Sequence, residues 1–526
     1  LVIWPDQTYQ VIRNIKTDQL LMIDQKNAAG HFVHKQFFPP AAPMFKDITT
    51  EVNVKWKHQE NDFVDFDQQP LIPHMLSKEG PRIAVADVNH DGLDDFYVCG
   101  ARGQPGALMI QQKDGSFKNS DTALFKRFAI CEDVDAVFFD ANGDGYPDLW
   151  VVAGGNQLPL NPIANADRLY LNDGKGNFSF SPSAFQQLFW DKSCIAVADI
   201  DHDGDSDVFV GHLADQTKYG LPIDSYLYIN DGKGKFSIAG QNIINLRKIG
   251  MVTSARFADI NNDGWPDLIV TGEWMGVKIF INNHGKFVES DIPNSTGLWQ
   301  TLYVTDVNGD GYPDILAGNW GHNSKLWAGK NGPLKLYTKD FDFSGSMESI
   351  MCYTVDGKEY TFLPKDELER TLPVLKKAYP TYGEVAGKTV QYMFYDLFKD
   401  YTELKAETLS SSCFINDGKG NFTRIDLPAD LQLAPIFSFT SVPGKNKGGF
   451  LAVGNFYGVT PYEGRYDALF PTFFSFDRQK KMFGNISILP EENGEMRDAK
   501  WITTAGRKKI LILARNNDKL IFLKPN

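Results

Sequence analysis

Cysteine is scarce in this sequence, with five in 526 residues, at positions 99, 131, 194, 352 and 413. They form no C-x-x-C pair, which argues against a disulfide framework or a zinc ribbon. Cys99 and Cys194 sit in apolar runs and read as buried thiols. The nine histidines fall in no H-E-x-x-H, and no nucleophile elbow occurs. No apolar run approaches the roughly eighteen residues of a membrane helix. Basic residues are outnumbered, and the net charge of −13 argues against a nucleic-acid partner. The opening Leu1-Val2-Ile3-Trp4-Pro5-Asp6 has no charged leader and reads as a strand already in progress. The expectation is a sequence that begins inside a domain, with any export signal or lipid anchor outside it.

What the sequence does hold is a repeat. Asp87, Asn89, Asp91, Leu93 and Asp95 surround Gly92, and the pattern returns as Asp140, Asn142, Asp144, Tyr146 and Asp148. It recurs as Asp199, Asp201, Asp203, Asp205 and Asp207, then as Asp259, Asn261, Asp263, Trp265 and Asp267. The fifth copy is Asp306, Asn308, Asp310, Tyr312 and Asp314. Oxygen side chains at loop positions 1, 3, 5 and 9, with glycine at 6, suit a hard cation bound by six to eight oxygens. Position 7 would lend its carbonyl, which fits the variety of side chains there. Without metal, each loop crowds carboxylates together at a like-charge cost. A sixth copy, Asp340, Asp342, Ser344 and Glu348, keeps the spacing with weaker ligands. Five calcium ions would bring the charge of −13 to −3, and a sixth to −1, so the acidity is mostly metal ligand.

Each loop lies between short apolar runs that read as strands buried on both faces, such as Ile195–Ala198 before and Val208–Val210 after. Farther on come turns such as Asn172-Asp-Gly, Asn230-Asp-Gly and Asn416-Asp-Gly between apolar strands, a hairpin signal. Strand, loop, strand and hairpin make a four-stranded antiparallel blade. Steps from Asp87 through Asp140, Asp199, Asp259, Asp306 and Asp340 are 53, 59, 60, 47 and 34 residues, the scale of propeller blades. The expected fold is all-β: a β-propeller of eight blades, or seven if the short fifth unit merges with the next. Near residue 444 a Gly-Lys-Asn-Lys-Gly loop stands where a metal loop would be, and Met44–Ile48 resembles a last strand that closes the ring. Residues 364–409 break the pattern with helical apolar spacing at Leu368, Leu372, Leu375 and Tyr379.

With its five loops, the sequence resembles the FG-GAP and VCBS repeat proteins, whose calcium-loop propeller is shared with integrin alpha subunits. The resemblance covers residues 44–526. Residues 1–26 resemble the tail of an ASPIC/UnbV domain, leaving 27–43 as a linker. The stretch 341–382 and the segment 454–466 look like the large Bacteroidota members. The resemblance implies an exported lipoprotein at the outer face of the outer membrane, with the periplasm as alternative, and a Sus-type nutrient-uptake complex as partner.

Turns after the second strands align Arg102, Asn156, His212, Glu273, Trp274, Asn319, Trp320, Asn455 and Tyr457. The expectation is one rim, opposite the calcium loops, that stacks on and hydrogen-bonds a glycan, a peptide or a partner protein; the bland alternative is glycines in tight turns with aromatics filling gaps between blades. Two functional classes follow: a non-catalytic binding or scaffold module, and a carbohydrate-active lyase drawing on His212, Glu273, Arg102 and His322.

Overall fold

The computed structural model describes residues 1–37, 44–159, 161–326, 328, 331–443 and 448–526. The chain divides into two units, residues 1–46 with 525–526, and residues 47–524. In the small unit Thr8–Gln10 lies between Val2–Ile3 and Gly30–His31 in a three-stranded sheet. The stretch expected to be a linker therefore lends a strand, and its residues 38–43 lie outside the described set.

The large unit is a ring of four-stranded antiparallel sheets. Blade one is Ile83–Ala86, Asp95–Val98, Ala107–Gln111 and Phe117–Ser120. Blades two, three and four begin at Glu132–Phe139, Asp191–Ala198 and Met251–Ala258, and repeat the same meander. Blade five takes its first two strands from Thr301–Thr305 and Asp314–Gly318, and its last two from Ser412–Asn416 and Phe422–Asp426. Blade six runs from Ile436–Ser441 to Met482–Ile488. Blade seven is built on Met496–Thr504, Lys508–Arg515 and Ile521–Pro525. Beside it, Ile48 N–H donates to the Phe522 carbonyl at 2.9 Å and Phe522 N–H donates to Thr49 Oγ1 at 2.9 Å.

First strands pack side by side in chain order, and blade seven returns to blade one. Among the described residues the ring therefore holds seven sheets, the smaller of the two counts the sequence allowed. The eighth four-stranded sheet stands outside it, inserted between the second and third strands of blade five. Its order is Lys358–Thr361, Glu348–Val355, Leu334–Lys339 and Thr402–Ala406. Helices Lys365–Thr371 and Pro373–Ala378 bury Leu368, Leu372 and Leu375 among Tyr337, Ile350 and Cys352 of that sheet. The expected helical insertion is thus corrected at its end: residues 402–406 form a strand paired with Leu334–Lys339.

Second strands of blades one to five are buried at every residue, as their unbroken apolar runs require. The seams from blade seven through blade five are separate apolar layers, and one larger cluster runs through blades three to six and the inserted sheet. Between blades two and three Trp150 stacks on Phe185 at 4.0 Å and meets Phe236 edge-on at 5.0 Å. All five cysteines are buried and free.

Candidate metal centres and the covered face

In all five ring loops the first aspartate and the glycine make the same contact. Asp87 Oδ2 accepts from Gly92 N–H at 2.8 Å, and Asp140, Asp199, Asp259 and Asp306 repeat this with Gly145, Gly204, Gly264 and Gly311 at 2.8–3.1 Å. Gly92 stands at φ 85°, a conformation costly for other residues, and the chain turns there around the loop's oxygens. The ninth-position aspartates Asp95, Asp148, Asp207, Asp267 and Asp314 are buried. One oxygen of each takes the amide of loop position 2, and the other takes an amide of the third strand, from Gln111, Asn172, Asn230, Asn282 or Asn416, at 2.7–2.9 Å. Burial, and behind it the charges of neighbouring loop aspartates, pushes Asp95, Asp148 and Asp207 up to about 7 and Asp267 and Asp314 to about 6. These carboxylates sit in an environment short of positive charge.

The residues fit a divalent cation. One oxygen each from Asp199, Asp201 and Asp207 lies within 4.8 Å of the others, and Asp340, Asp342 and Glu348 converge in the same way. Asp199 Oδ1 is buried and accepts no hydrogen bond, so a carboxylate oxygen of this cluster has no protein partner. The sixth loop lies on the inserted sheet, joining Leu334–Lys339 to Glu348–Val355. There Gly345 N–H meets Asp340 Oδ2 at 2.9 Å and Glu348 accepts from Phe341 N–H at 2.8 Å, so glutamate fills the ninth position. Blade six's Gly444–Lys447 segment lies outside the described residues.

A set of side chains missed by sequence reasoning ties the loops to the ring. Asn172 of blade two donates its Nδ2 to the Val88 carbonyl of blade one at 2.8 Å and to Pro147 in its own blade at 3.1 Å. Asn230 reaches Ala141, Asn282 reaches Ile200 and Asn416 reaches Ile260, each in the preceding blade, at 2.7–3.1 Å. In blade one Gln111 reaches the Thr503 carbonyl of blade seven at 3.1 Å. Each accepting carbonyl in blades one to four belongs to loop position 2. These asparagines are the first residues of the turns read as hairpins, and hairpins they are. Only the repetition of Asn ahead of Asp-Gly or Asn-His could have hinted at a second role. The variable seventh positions also cross seams: Trp265 stacks on His202 at 4.0 Å, and Tyr146 lies 5.1 Å from His90.

On the opposite face the expected open rim is corrected. Arg102, Asn156, His212, Glu273, Trp274, Asn319, Trp320 and Asn455 are buried, and Tyr457 is half-buried beneath Arg465. Residues 53–82 form a strap across the turns. Gln59 N–H meets Gln104 of blade one, Asn61 meets Gln157 of blade two and Gln69 meets the Gln216 carbonyl of blade three. His74 meets Glu273 of blade four and packs on Trp320 of blade five at 5.2 Å. Met75 N–H donates to Gly458 of blade six, and His58 N–H to Asp518 of blade seven.

At the centre Glu273 accepts from His74 Nε2 at 2.7 Å, from Gln300 at 2.9 Å and from Tyr219 OH at 2.5 Å, while Trp274 Nε1 donates to that hydroxyl at 2.8 Å. Burial alone would lower His74, but the Glu273 carboxylate lifts it to about 9. Burial alone would raise Glu273, but the His74 charge together with the hydrogen bonds from His74, Tyr219 and Gln300 holds it below its usual range. Burial, with the Lys192 charge behind it, drives His212 down. The glycines of these turns allow close approach: a Cβ at Gly272 would strike the Met251 carbonyl, and one at Gly318 the Ile436 carbonyl of blade six. The aligned residues converge as an interior, and the tight-turn, gap-filling role describes them.

Residues 87–151, 140–210, 222–270 and 259–317 match the FG-GAP-like repeat, so the chain carries four such repeats in a β-propeller. No curated protein matches the chain. Among solved structures it is similar to the V. cholerae biofilm matrix protein Bap1, at 12% identity over 92% of this chain and 91% of that one, with a TM-score of 0.37. BBS1N in complex with ARL6DN gives 11% identity, 87% and 94% coverage and a TM-score of 0.41. Saccharomyces cerevisiae Sqt1 gives 9%, 87%, 98% and 0.39.

Proposed function

We propose that this protein is a calcium-clamped, non-catalytic binding and scaffold module that works outside the cytoplasm. The observation that carries the calcium is the convergence of Asp199, Asp201 and Asp207, with Asp199 Oδ1 buried and unpartnered. Four further ring loops repeat its backbone hydrogen bonds, and the Asp340 loop supplies a weaker sixth site. Calcium would neutralise carboxylates that otherwise repel, and would brace the loop carbonyls that the asparagine staples hold. Sites of this kind in extracellular modules bind with Kd of roughly 10⁻⁴–10⁻³ M, which suits a calcium-rich exterior. The resemblance to exported Bacteroidota proteins supports a surface lipoprotein beside a Sus-type uptake complex, with the periplasm as alternative.

Burial of Arg102, His212 and Glu273 favours binding over lyase chemistry, because buried groups are out of a polysaccharide's reach. His322 stays exposed with Nε2 2.7 Å from Ser410 Oγ. The test is thermal melting of wild type and Asp144→Ala in calcium and in chelator. The variant should melt lower in calcium and match wild type in chelator. Equal losses in both would show Asp144 to be a turn residue only. Protease shaving of intact cells tests the location, with loss of the propeller expected and full protection contradicting surface display.

A further inference from the structure

The ring encloses a central cavity of about 440 Å³, a size typical of small-ligand pockets. It is lined by first strands, whose alternate residues point to the axis. Five residues before the first aspartate of each loop stand Arg82, Asp135, Cys194, Ser254 and Thr301; three before, in the last two loops, stand Arg256 and Tyr303. Lys500 and Trp501 of blade seven complete the lining toward the ends of these strands, which lead into the calcium loops. The strap crosses the turns at the other end of these strands.

Its charges are unbalanced. Arg82, Arg256, Lys500 and Lys509 line it against Asp135 and Asp498. Asp135 accepts from the backbone of Ala136 and Ile195 at 2.9 and 3.1 Å; Asp498 accepts from the backbone of Ile83 and Ala499 and from Ser438 Oγ, and lies 3.4 Å from Lys500 Nζ, while Lys509 Nζ lies 3.9 Å from Asp94, which leaves the two arginines as the cations in excess. Arg82 spends Nη1 on the Phe437 and Arg497 carbonyls, and Arg256 spends Nη1 on Ala255 at 2.7 Å. Among the described residues neither guanidinium has an ion-pair partner. Burial raises Asp135, and the charges of Arg82, Arg256 and Lys500 act against it. Thr301, Tyr303 and Thr440 line the same space, and among the described residues no protein group hydrogen-bonds their hydroxyls.

We infer that this pocket binds a small hydroxylated carboxylate of sugar-acid size, its carboxylate held by the free edges of Arg256 and Arg82 and its hydroxyls by Thr301, Tyr303 and Thr440. A planar guanidinium takes a carboxylate through two parallel N–H bonds, and in a half-buried site such a pair is strong. Trp501 offers an apolar face beside it, suited to the C–H side of a sugar ring. This rests on the binding-module reading and names the ligand class.

Calorimetric titration of the calcium-loaded protein with D-glucuronate, D-glucose and sulfate, followed by Trp501 fluorescence, tests it. Glucuronate should bind, glucose should bind at least about tenfold more weakly, and sulfate should not match glucuronate. Arg256→Gln should weaken glucuronate about tenfold or more, the usual cost of a charged hydrogen bond. Thr440→Val should weaken it by less and leave sulfate unchanged. Equal binding of glucose would overturn the role of charge; equal binding of sulfate would overturn the role of hydroxyls. No binding by a protein that melts normally and holds its calcium would overturn the pocket and leave the calcium-clamped reading standing. Binding that survives in a chain without calcium would sink that reading and keep the pocket.

Discussion

The two faces of the propeller are held by different physics. On the loop face, carboxylates gather around places for a cation, and asparagine side chains carry each loop's position to the neighbouring blade. On the strap face, buried ion pairs, His74 with Glu273 and Arg497 with Glu495, are hydrogen-bonded among aromatics. The loop face depends on something dissolved; on the strap face the His74–Glu273 pair finds its hydrogen bonds within the chain. Stability that responds to calcium should therefore reside at one end only.

The sharpest way to break this comparison is chelation. Ligand binding to the native state stabilises by about 2.7 kcal/mol per site at a hundredfold excess over Kd, so several sites emptied together should lower the melting temperature by well over ten degrees. A melting curve unmoved by chelator would erase the difference between the faces.

Next in size, His74→Gln should cost about 3–5 kcal/mol, the penalty for leaving a buried charge unpaired, and the loss should be the same with and without calcium. Its pH dependence follows from sign. Lifting His74 from 6.5 to about 9 stabilises the fold fully below 6.5, and that gain disappears as pH rises through about 9. Glu273, lowered from 4.5, contributes above that value and loses its part in acid. The gap between His74→Gln and wild type should therefore be widest near pH 5–7 and close above pH 9. Glu79 and Glu463, pushed up to about 7 chiefly by burial, face the same imidazole and will shade the slope near neutrality. A gap that widened above pH 9 would contradict the ion pair.

Trp320→Ala, which opens a cavity at the same centre, should cost about 3–5 kcal/mol. It should leave glucuronate titration of the surviving folded fraction unchanged. Selective loss of ligand with the melting point intact would return the tryptophan to a binding surface. Smallest, Asn230→Ala removes one staple between blades two and three and should cost about 1–2 kcal/mol, less in chelator than in calcium if loop and staple act together. Equal losses in both conditions would make the staple independent of the ion.

The loop face was legible because its chemistry is written five times at fixed spacing, and blades follow from apolar runs on either side of each copy. Blade five was harder. Its third and fourth strands begin at Ser412, and the Asn416-Asp-Gly turn between them gives no sign of pairing with residues about a hundred positions earlier. Residues 53–82 carry no period at all. Gln69, His74 and Met75 each meet a different blade, and such single long-range contacts leave no pattern in sequence. Trp274 and Trp320 were aligned correctly with their neighbours, yet alignment says only that side chains share a level, and the strap decides whether that level is wet or dry. The asparagines of the Asn-Asp-Gly turns show a related limit, since a turn residue and an inter-blade staple look alike until the neighbouring carbonyl is in place.

The central claim is that the five ring loops hold calcium, and anomalous diffraction from calcium-grown crystals tests it most directly. The account predicts a peak at each of the five loops, bounded by Asp87, Asp140, Asp199, Asp259 and Asp306, with a weaker sixth beside Asp340. Fewer than four peaks, or peaks away from these aspartates, would contradict it.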